Sequence, residues 1–563
     1  MEGYYGSQVA MYFAWLGWYT KMLIIPSIVC TFLGVKQYSS PLGVDGNKWA
    51  IVNSIFLCTW AVVWLRTWQR REHELSFYWQ TQNFEELQAL RPEFSGKRKW
   101  DPEKGAVELQ YSSYTSRMTR LVLSFAVFSV LILMVCFACG LSFYCKLYYK
   151  NGVGKWASPM ANLMLISVFR VIHVPFAQFL TRFENHRTQT EYDDALIGKT
   201  FMFTFINNYC TLFFIAYIKQ TPSYFGEASS CQTYKGKFTT RCMDELQFQL
   251  VLLFTAKMIL GQLYEVFIAK YMAKRAADKR EEKAADEARL AAMAAGKVAT
   301  ATTVLSDAVT DNAQQAICEQ ALKPSYTTKA GSSGTFDDYN EMATYFGYFM
   351  LFAPAFPLAP LLMLLNNLTE IRGDAFKICR GCQRTERGQA QDIGAWQWVF
   401  EVIAILSVVT NATIIGFTSS QLDERSEYWY ESSNSTTSID GVDLRDLGSN
   451  EEPPQIFRYK QGSLWAIVVL AEHLLLMFRF GLHAAIPVMP SWVAAAEYAL
   501  KNRSAKMYGH KSATDARHEM FHLAEGATSL VKPPTKKKRK IKRAGNVHAA
   551  RTGSGRIVGA ARP

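Results

Sequence analysis

No nucleotide-binding loop and no phosphorylated-aspartate signature occurs in these 563 residues. Any transport the chain performs is therefore expected to be passive, and an enzymatic role is not expected. A basic n-region is also missing ahead of the first apolar run, "MEGYYGSQVAMYFAWLGWYTKML", which argues against a cleavable signal peptide. That run is instead expected to act as its own insertion signal. Metal-finger spacing is scarce: the 11 cysteines are scattered, mostly within apolar runs, and "CRGC" (379–382) is a lone CxxC with no second pair. Juxtamembrane thiols, open to acylation, are the simpler reading of that pair. No internal repeat stands out.

What is abundant is apolar sequence in long blocks. Hydrophobic residues make up 49% and aromatics 14%, while a mean hydropathy of -0.03 hides the blocks because polar loops offset them. Runs of about 18 or more apolar residues read as membrane-spanning helices. They fall near 9–35, 48–68, 117–147, 157–181, 197–218, 245–269, 339–360, 360–378, 395–418 and 462–489. The expected fold class is an all-α polytopic membrane protein with ten transmembrane segments. The seventh and eighth are short and meet in "FAPAFPLAPL" (352–361), whose three prolines suit a tight re-entrant turn.

Orientation follows from charge. Basic excess in 66–120, 270–283, 377–387 and the C-terminal tail assigns those stretches to the cytosol. The acidic segment 419–461 carries "NST" (434–436), which makes Asn434 an N-glycosylation acceptor on the lumenal side. Ten spans with both termini inside satisfy both markers. Cys231 and Cys242 then share an external loop, where a disulfide is permitted.

The chain divides into four expected parts. Residues 1–270 hold the first six spans, and 271–337 form a cytosolic insertion that begins as an Ala/Lys/Glu/Arg-rich solvated helix and ends in a flexible "KAGSSGT" linker. Residues 338–490 hold the last four spans, and 491–563 form a basic cytosolic tail. The net charge of +13 owes much to "KPPTKKKRKIKR" (532–543), read as a solvated tail or as a contact for anionic lipid. A ten-span chain makes a nuclear signal implausible, and no nucleic-acid partner is expected.

Against this apolar background the acidic residues stand out. "LLNNLTEIRGDAFK" (364–377) spaces Asn366, Glu370 and Asp374 four apart, on one helical face. Asp338 and Glu341 lie three apart at the start of the seventh span, and Glu265 closes the sixth. The topology brings all five carboxylates to the cytoplasmic ends of three helices. Each charge costs about 2.5–3.5 kcal/mol at mid-span, and crowding adds repulsion. Protonation or a cation relieves it. Calcium takes 6–8 oxygen ligands in irregular geometry. Five carboxylates with the Asn366 amide oxygen suit two such ions. No His or Cys joins the set, which disfavours zinc and copper. The plainer alternative is salt bridging to Lys270, Arg372 and Lys377, although Arg372 faces away from the acidic stripe.

Several stretches resemble the anoctamin family: "YFAWLGWYTKML" (12–23), "RPEF" (91–94), "HRTQTEYDDALIGKTFMFTFINNYCTLFFIAYIK" (186–219), "YFGYFMLFAPAFPLAPLLMLLNNLTEIRGDAFK" (345–377) and "DIGAWQW" (392–398). The resemblance covers the whole membrane region. It implies a homodimeric, ten-span, calcium-activated phospholipid scramblase or ion channel, with calcium ligands at Glu265, Asp338, Glu341, Glu370 and Asp374. Two departures are visible. Gly261 stands where the family commonly has Asn, removing an oxygen ligand and placing a flexible hinge in a helix expected to move. The family's cytosolic N-terminal domain is also missing, which implies a natural short form or a piece of a longer chain.

A permeation path is expected along the fourth and fifth spans. Arg170 and His173, with Thr200, Thr204, Asn207 and Asn208, form polar stripes that could line a furrow. Open to lipid, such a furrow carries headgroups; closed by neighbouring helices, it is an ion pore. Polar contacts between packed helices are the simpler reading for the Thr and Asn residues. Without calcium the acidic cluster is expected to repel itself and hold the sixth helix away. The leading function is calcium-activated passive lipid scrambling with ion leak. A calcium-gated anion or cation channel is the alternative, and a membrane tether the more distant one. Expected partners are phospholipids, ions and a second copy through the tenth span, where "AEHLLL" resembles the family's dimer contact. The plasma membrane is the expected location, with an endomembrane the alternative.

Overall fold

Backbone groups in lipid must be paired within their own segment, so the apolar runs fold as helices. The computed structural model describes residues 1–39, 48–101, 106–111, 113–148, 152–219, 231–232, 238–239, 242–263, 334–419 and 456–508, with isolated residues between 271 and 326. The long helices are α1 (Ser7–Tyr38), α2 (Trp49–Trp79), α3 (Tyr114–Tyr148), α4 (Gly152–Phe183), α5 (Gln189–Phe213) and α6 (Met243–Leu263). They are followed by α7 (Thr335–Leu351), α8 (Ala359–Phe376), α9 (Trp396–Thr413), α10 (Ile456–Ala485) and α11 (Ser491–Tyr508). Two antiparallel hairpins, β1 (Lys97–Asp101) with β2 (Ala106–Gln110) and β3 (Cys231–Gln232) with β4 (Phe238–Thr239), are the strands among the described residues.

Eight of these helices are long and apolar enough to cross a membrane. The chain is an all-α polytopic membrane protein. Helices α7 and α8 are shorter, at 17 and 18 residues, and carry the acidic residues. Residues Met1–Ala495 form one compact unit and Ala496–Pro563 another. Asn434, the tail at 532–543 and most of the 271–337 insertion lie outside the described residues. Cys242 is disulfide-bonded, and the side chain of Cys231 is outside the description.

Association in lipid has little hydrophobic drive, so packing depends on close van der Waals fit and interhelical hydrogen bonds. An aromatic hub supplies the fit. The Trp64 ring of α2 lies 4.6 Å from Tyr19 of α1, 5.1 Å from Phe346 of α7 and 5.5 Å from Phe400 of α9. A second core joins α3, α4 and α5 through Phe128, Leu131, Val135, Leu180 and Phe203. On the far side of α3 and α4, Val122, Phe125, Phe137, Met164 and Val171 are exposed, as lipid-facing residues should be.

The turn between α7 and α8 is buried from Phe352 to Pro357, yet its backbone is not helical. Side chains from three helices pair it. Asn411 of α9 donates to Met350 O (2.9 Å) and accepts from Ala353 N (3.2 Å), while Asn53 of α2 donates to Ala353 O (3.0 Å). From α1, Ser27 donates to Pro360 O at 3.0 Å. The expected re-entrant turn is thus a protein-lined one, as lipid depth requires. The motif at 392–398 has an equally local reason. Gly394 has a φ of 63°, and the amides of Ile393 and Ala395 donate to Glu72 of α2 (2.8 Å) and Asp194 of α5 (2.9 Å), which tie the start of α9 in place.

Candidate metal centre and polar furrow

Helices α7 and α8 run antiparallel into the buried turn, so their far ends return to the same level. The buried positions of α8 include Met363, Asn366, Asn367, Glu370 and Asp374, the stripe that four-residue spacing predicts. On α7 the step from Asp338 to Glu341 is one turn. The result is two tiers: an aspartate pair, Asp338 with Asp374, and a glutamate pair, Glu341 with Glu370.

The aspartate pair shares Lys377, the first residue after α8. Its Nζ lies 2.8 Å from Asp338 Oδ1 and 3.6 Å from Asp374 Oδ1. The Tyr12 hydroxyl of α1 donates to Asp374 Oδ2 at 2.5 Å, and the Tyr326 hydroxyl donates to Asp338 Oδ2 at 2.8 Å. Burial, then the charges of Asp338 and Asp374, push the Tyr326 phenol well above its ordinary pKa, so it stays a proton donor.

The glutamate pair meets α6. Gln262 Nε2 donates to Glu370 Oε1 at 2.5 Å, and Asn366 Nδ2 approaches the same oxygen at 3.4 Å. The Tyr345 hydroxyl donates to Glu341 Oε1 at 3.0 Å and lies within electrostatic reach of both glutamates. Gly261 faces Glu341: a Cβ there would stand 3.2 Å from Glu341 Oε1. Helix α6 therefore reaches the glutamate pair through the Gln262 amide and the close approach at Gly261.

Glu265 and Lys270 lie outside the described residues. Among the described residues no three His, Cys, Asp or Glu side chains gather tightly enough to hold a metal ion. The four described carboxylates come as pairs. Asn366 Oδ1 is buried with no hydrogen-bond partner, an amide oxygen on the same helical face as Glu370 and Asp374. A donor set of carboxylate and amide oxygens suits calcium rather than zinc or copper.

The furrow residues are divided by the packing. Arg170 is exposed on α4. His173 is buried and stacks on Phe203 of α5 at 3.8 Å. Asn207 donates to Ile166 O of α4 at 3.1 Å, and Asn162 donates to Thr211 at 3.0 Å, as interhelical contacts. Thr200 is buried and Thr204 half-buried. Asn208 accepts a hydrogen bond from Lys257 of α6, whose ammonium lies 5.5 Å from the Tyr348 ring and within electrostatic reach of Arg170 and Glu341. Sequence reasoning passed over Lys257 and Gln262. A lone lysine inside "LLFTAKMIL" was a readable signal, because a charge within a span has a default functional reading.

A family model described as "Anoctamin: Calcium-activated chloride channel" matches residues 1–498. The chain is 27% identical over 506 residues to Anoctamin-10 of Homo sapiens, covering 87% of this chain and 63% of that protein. It is 27% identical over 485 residues to Anoctamin-4 of Mus musculus (74% of this chain, 47% of that one). It is also 28% identical over 493 residues to Anoctamin-7 of Homo sapiens (76% and 49%). The chain thus spans between 47% and 63% of the length of these curated relatives.

Proposed function

This chain belongs to the anoctamin family, and from that premise we propose that it is a calcium-activated passive phospholipid scramblase, switched at the two carboxylate tiers. One observation carries the reading. Helix α6 touches both the site and the path: Gln262 donates to Glu370, and Lys257, five residues earlier, donates to Asn208 on the furrow helix α5. A shift of α6 at one place is a shift at the other.

Asp338, Glu341, Glu370 and Asp374 would hold the calcium, with Asn366 as a further ligand and Glu265, which lies outside the described residues, completing the set. Bound calcium supplies divalent charge that the carboxylates share. The chain's own residues do the rest. Helices α7 and α8 are fixed by the buried turn and form the immobile wall. Gly261 leaves the space in which α6 closes on Glu341, and Lys257 carries the displacement to Asn208. Headgroups would pass along the furrow beside Arg170 while acyl chains stay in the hydrocarbon.

A calcium-gated anion channel is the second reading. The favouring observation is the guanidinium of Arg170, exposed on the furrow helix α4, whose positive charge lowers the barrier for anions. A homodimer is proposed through α10, which exposes Leu470, Leu474, Met477 and Phe478, and the plasma membrane is the proposed location. Dithionite quenching of fluorescent lipids in proteoliposomes, with ion flux measured on the same vesicles, separates the readings. Calcium-dependent loss of the protected lipid signal is expected. Ion flux without lipid flux would establish the channel, and neither flux would overturn both.

A further inference from the structure

Three of the four carboxylate oxygens of the aspartate pair accept hydrogen bonds from donors of the chain itself, and the fourth, Asp374 Oδ1, stands at ion-pair distance from Lys377. Asp338 presents Oδ1 to Lys377 Nζ (2.8 Å) and Oδ2 to the Tyr326 hydroxyl (2.8 Å). Asp374 presents Oδ1 to the same ammonium (3.6 Å) and Oδ2 to the Tyr12 hydroxyl (2.5 Å). Any cation using these oxygens meets a resident positive charge and two resident protons. The geometry points to Lys377 as a tethered cation that fills the aspartate tier when calcium is absent and competes with calcium for it. This inference rests on the proposed calcium site.

Three features fit a displaceable counter-ion better than a fixed structural pair. The Lys377 side chain is 31% exposed while Asp338 and Asp374 are 6% and 2% exposed, so the lysine stands nearer the surface than the carboxylates it pairs. Its four-carbon stem lets the charge leave without moving the helix. Lys377 also begins a π-helical turn, Lys377–Gly381, and such wider turns concentrate at functional sites. Tyr326 stands beside the ammonium, with its ring 5.8 Å from Nζ, and is packed against Val9 and Ile378. Tyr326 thus shares Asp338 with Lys377.

A buried carboxylate stripped of its partner is costly, so deleting the tether raises the free energy of the calcium-free state and leaves the calcium-bound state untouched. The test is calcium titration of the full chain in nanodiscs, read by calorimetry and by the calcium-dependent melting temperature. Lys377→Gln is expected to bind calcium at least about fivefold more tightly, a coupling of ordinary size. It should also melt lower than wild type in EGTA and gain more on calcium addition. Lys377→Arg keeps the charge and should match wild type, which guards against a mere packing effect. If wild type binds calcium but Lys377→Gln binds it equally or more weakly, the tether is overturned and the site stands. Absence of calcium binding by wild type overturns the site and the tether together.

Discussion

Neutralising Glu370 and Asp374 together, as Glu370→Gln with Asp374→Asn, moves the calcium midpoint of lipid flux upward by about a hundredfold or more. Both side chains are buried on one face of α8, so neither charge is screened by water. A hydrogen bond or ligand contact to a charged group is worth about 1.5–3 kcal/mol, and two such losses compound. The amide replacements keep shape and can still accept from Tyr12 and Gln262, so the fold should survive. A normal size-exclusion profile with an unchanged calcium midpoint would remove α8 from the site.

Asn411→Leu is expected to cost about 2–6 kcal/mol, from two backbone groups orphaned at about 1–3 kcal/mol each. The side chain of Asn411 pairs Met350 O and Ala353 N at the buried turn between α7 and α8, with Asn411 only 2% exposed. Leucine fills the volume and strands both groups away from water. The expected readout is a melting temperature many degrees lower, or loss of monodisperse protein. Asn53→Leu strands only Ala353 O and should do less harm. A wild-type melting curve for Asn411→Leu would show that the turn is paired by other means.

The long apolar runs, eight of them of spanning length among the described residues, were legible because lipid imposes both length and helicity, and the acidic stripe was legible because four-residue spacing fixes a face. Partners were not. Tyr12 reaches Asp374 across 362 positions, and nothing in "YFAWLGW" marks one tyrosine as a donor to α8. Tyr326 lies in a polar stretch with no periodicity to place it. Periodicity names the face of a helix but not what stands opposite: Lys377 was legible as a salt-bridge partner of the stripe, whereas the hydroxyls of Tyr12, Tyr326 and Tyr345 were not. The polar stripe on α5 was equally legible, yet its residues divide. Asn207 pairs with α4 backbone, whereas Asn208 meets Lys257. One position along a helix turns a side chain by about 100°, and sequence cannot say which neighbour fills each direction.

The central claim is that carboxylates from α7 and α8, closed by α6, take up calcium. An experimental structure of the full chain in lipid, determined with calcium and again with EGTA, tests it most directly. The account predicts ion density at about 2.3–2.6 Å from oxygens of Asp338, Glu341, Glu370 and Asp374 in the calcium state alone, with Lys377 withdrawn. Calcium-soaked protein with no density between these carboxylates, and Lys377 still seated on Asp338 and Asp374, would contradict it.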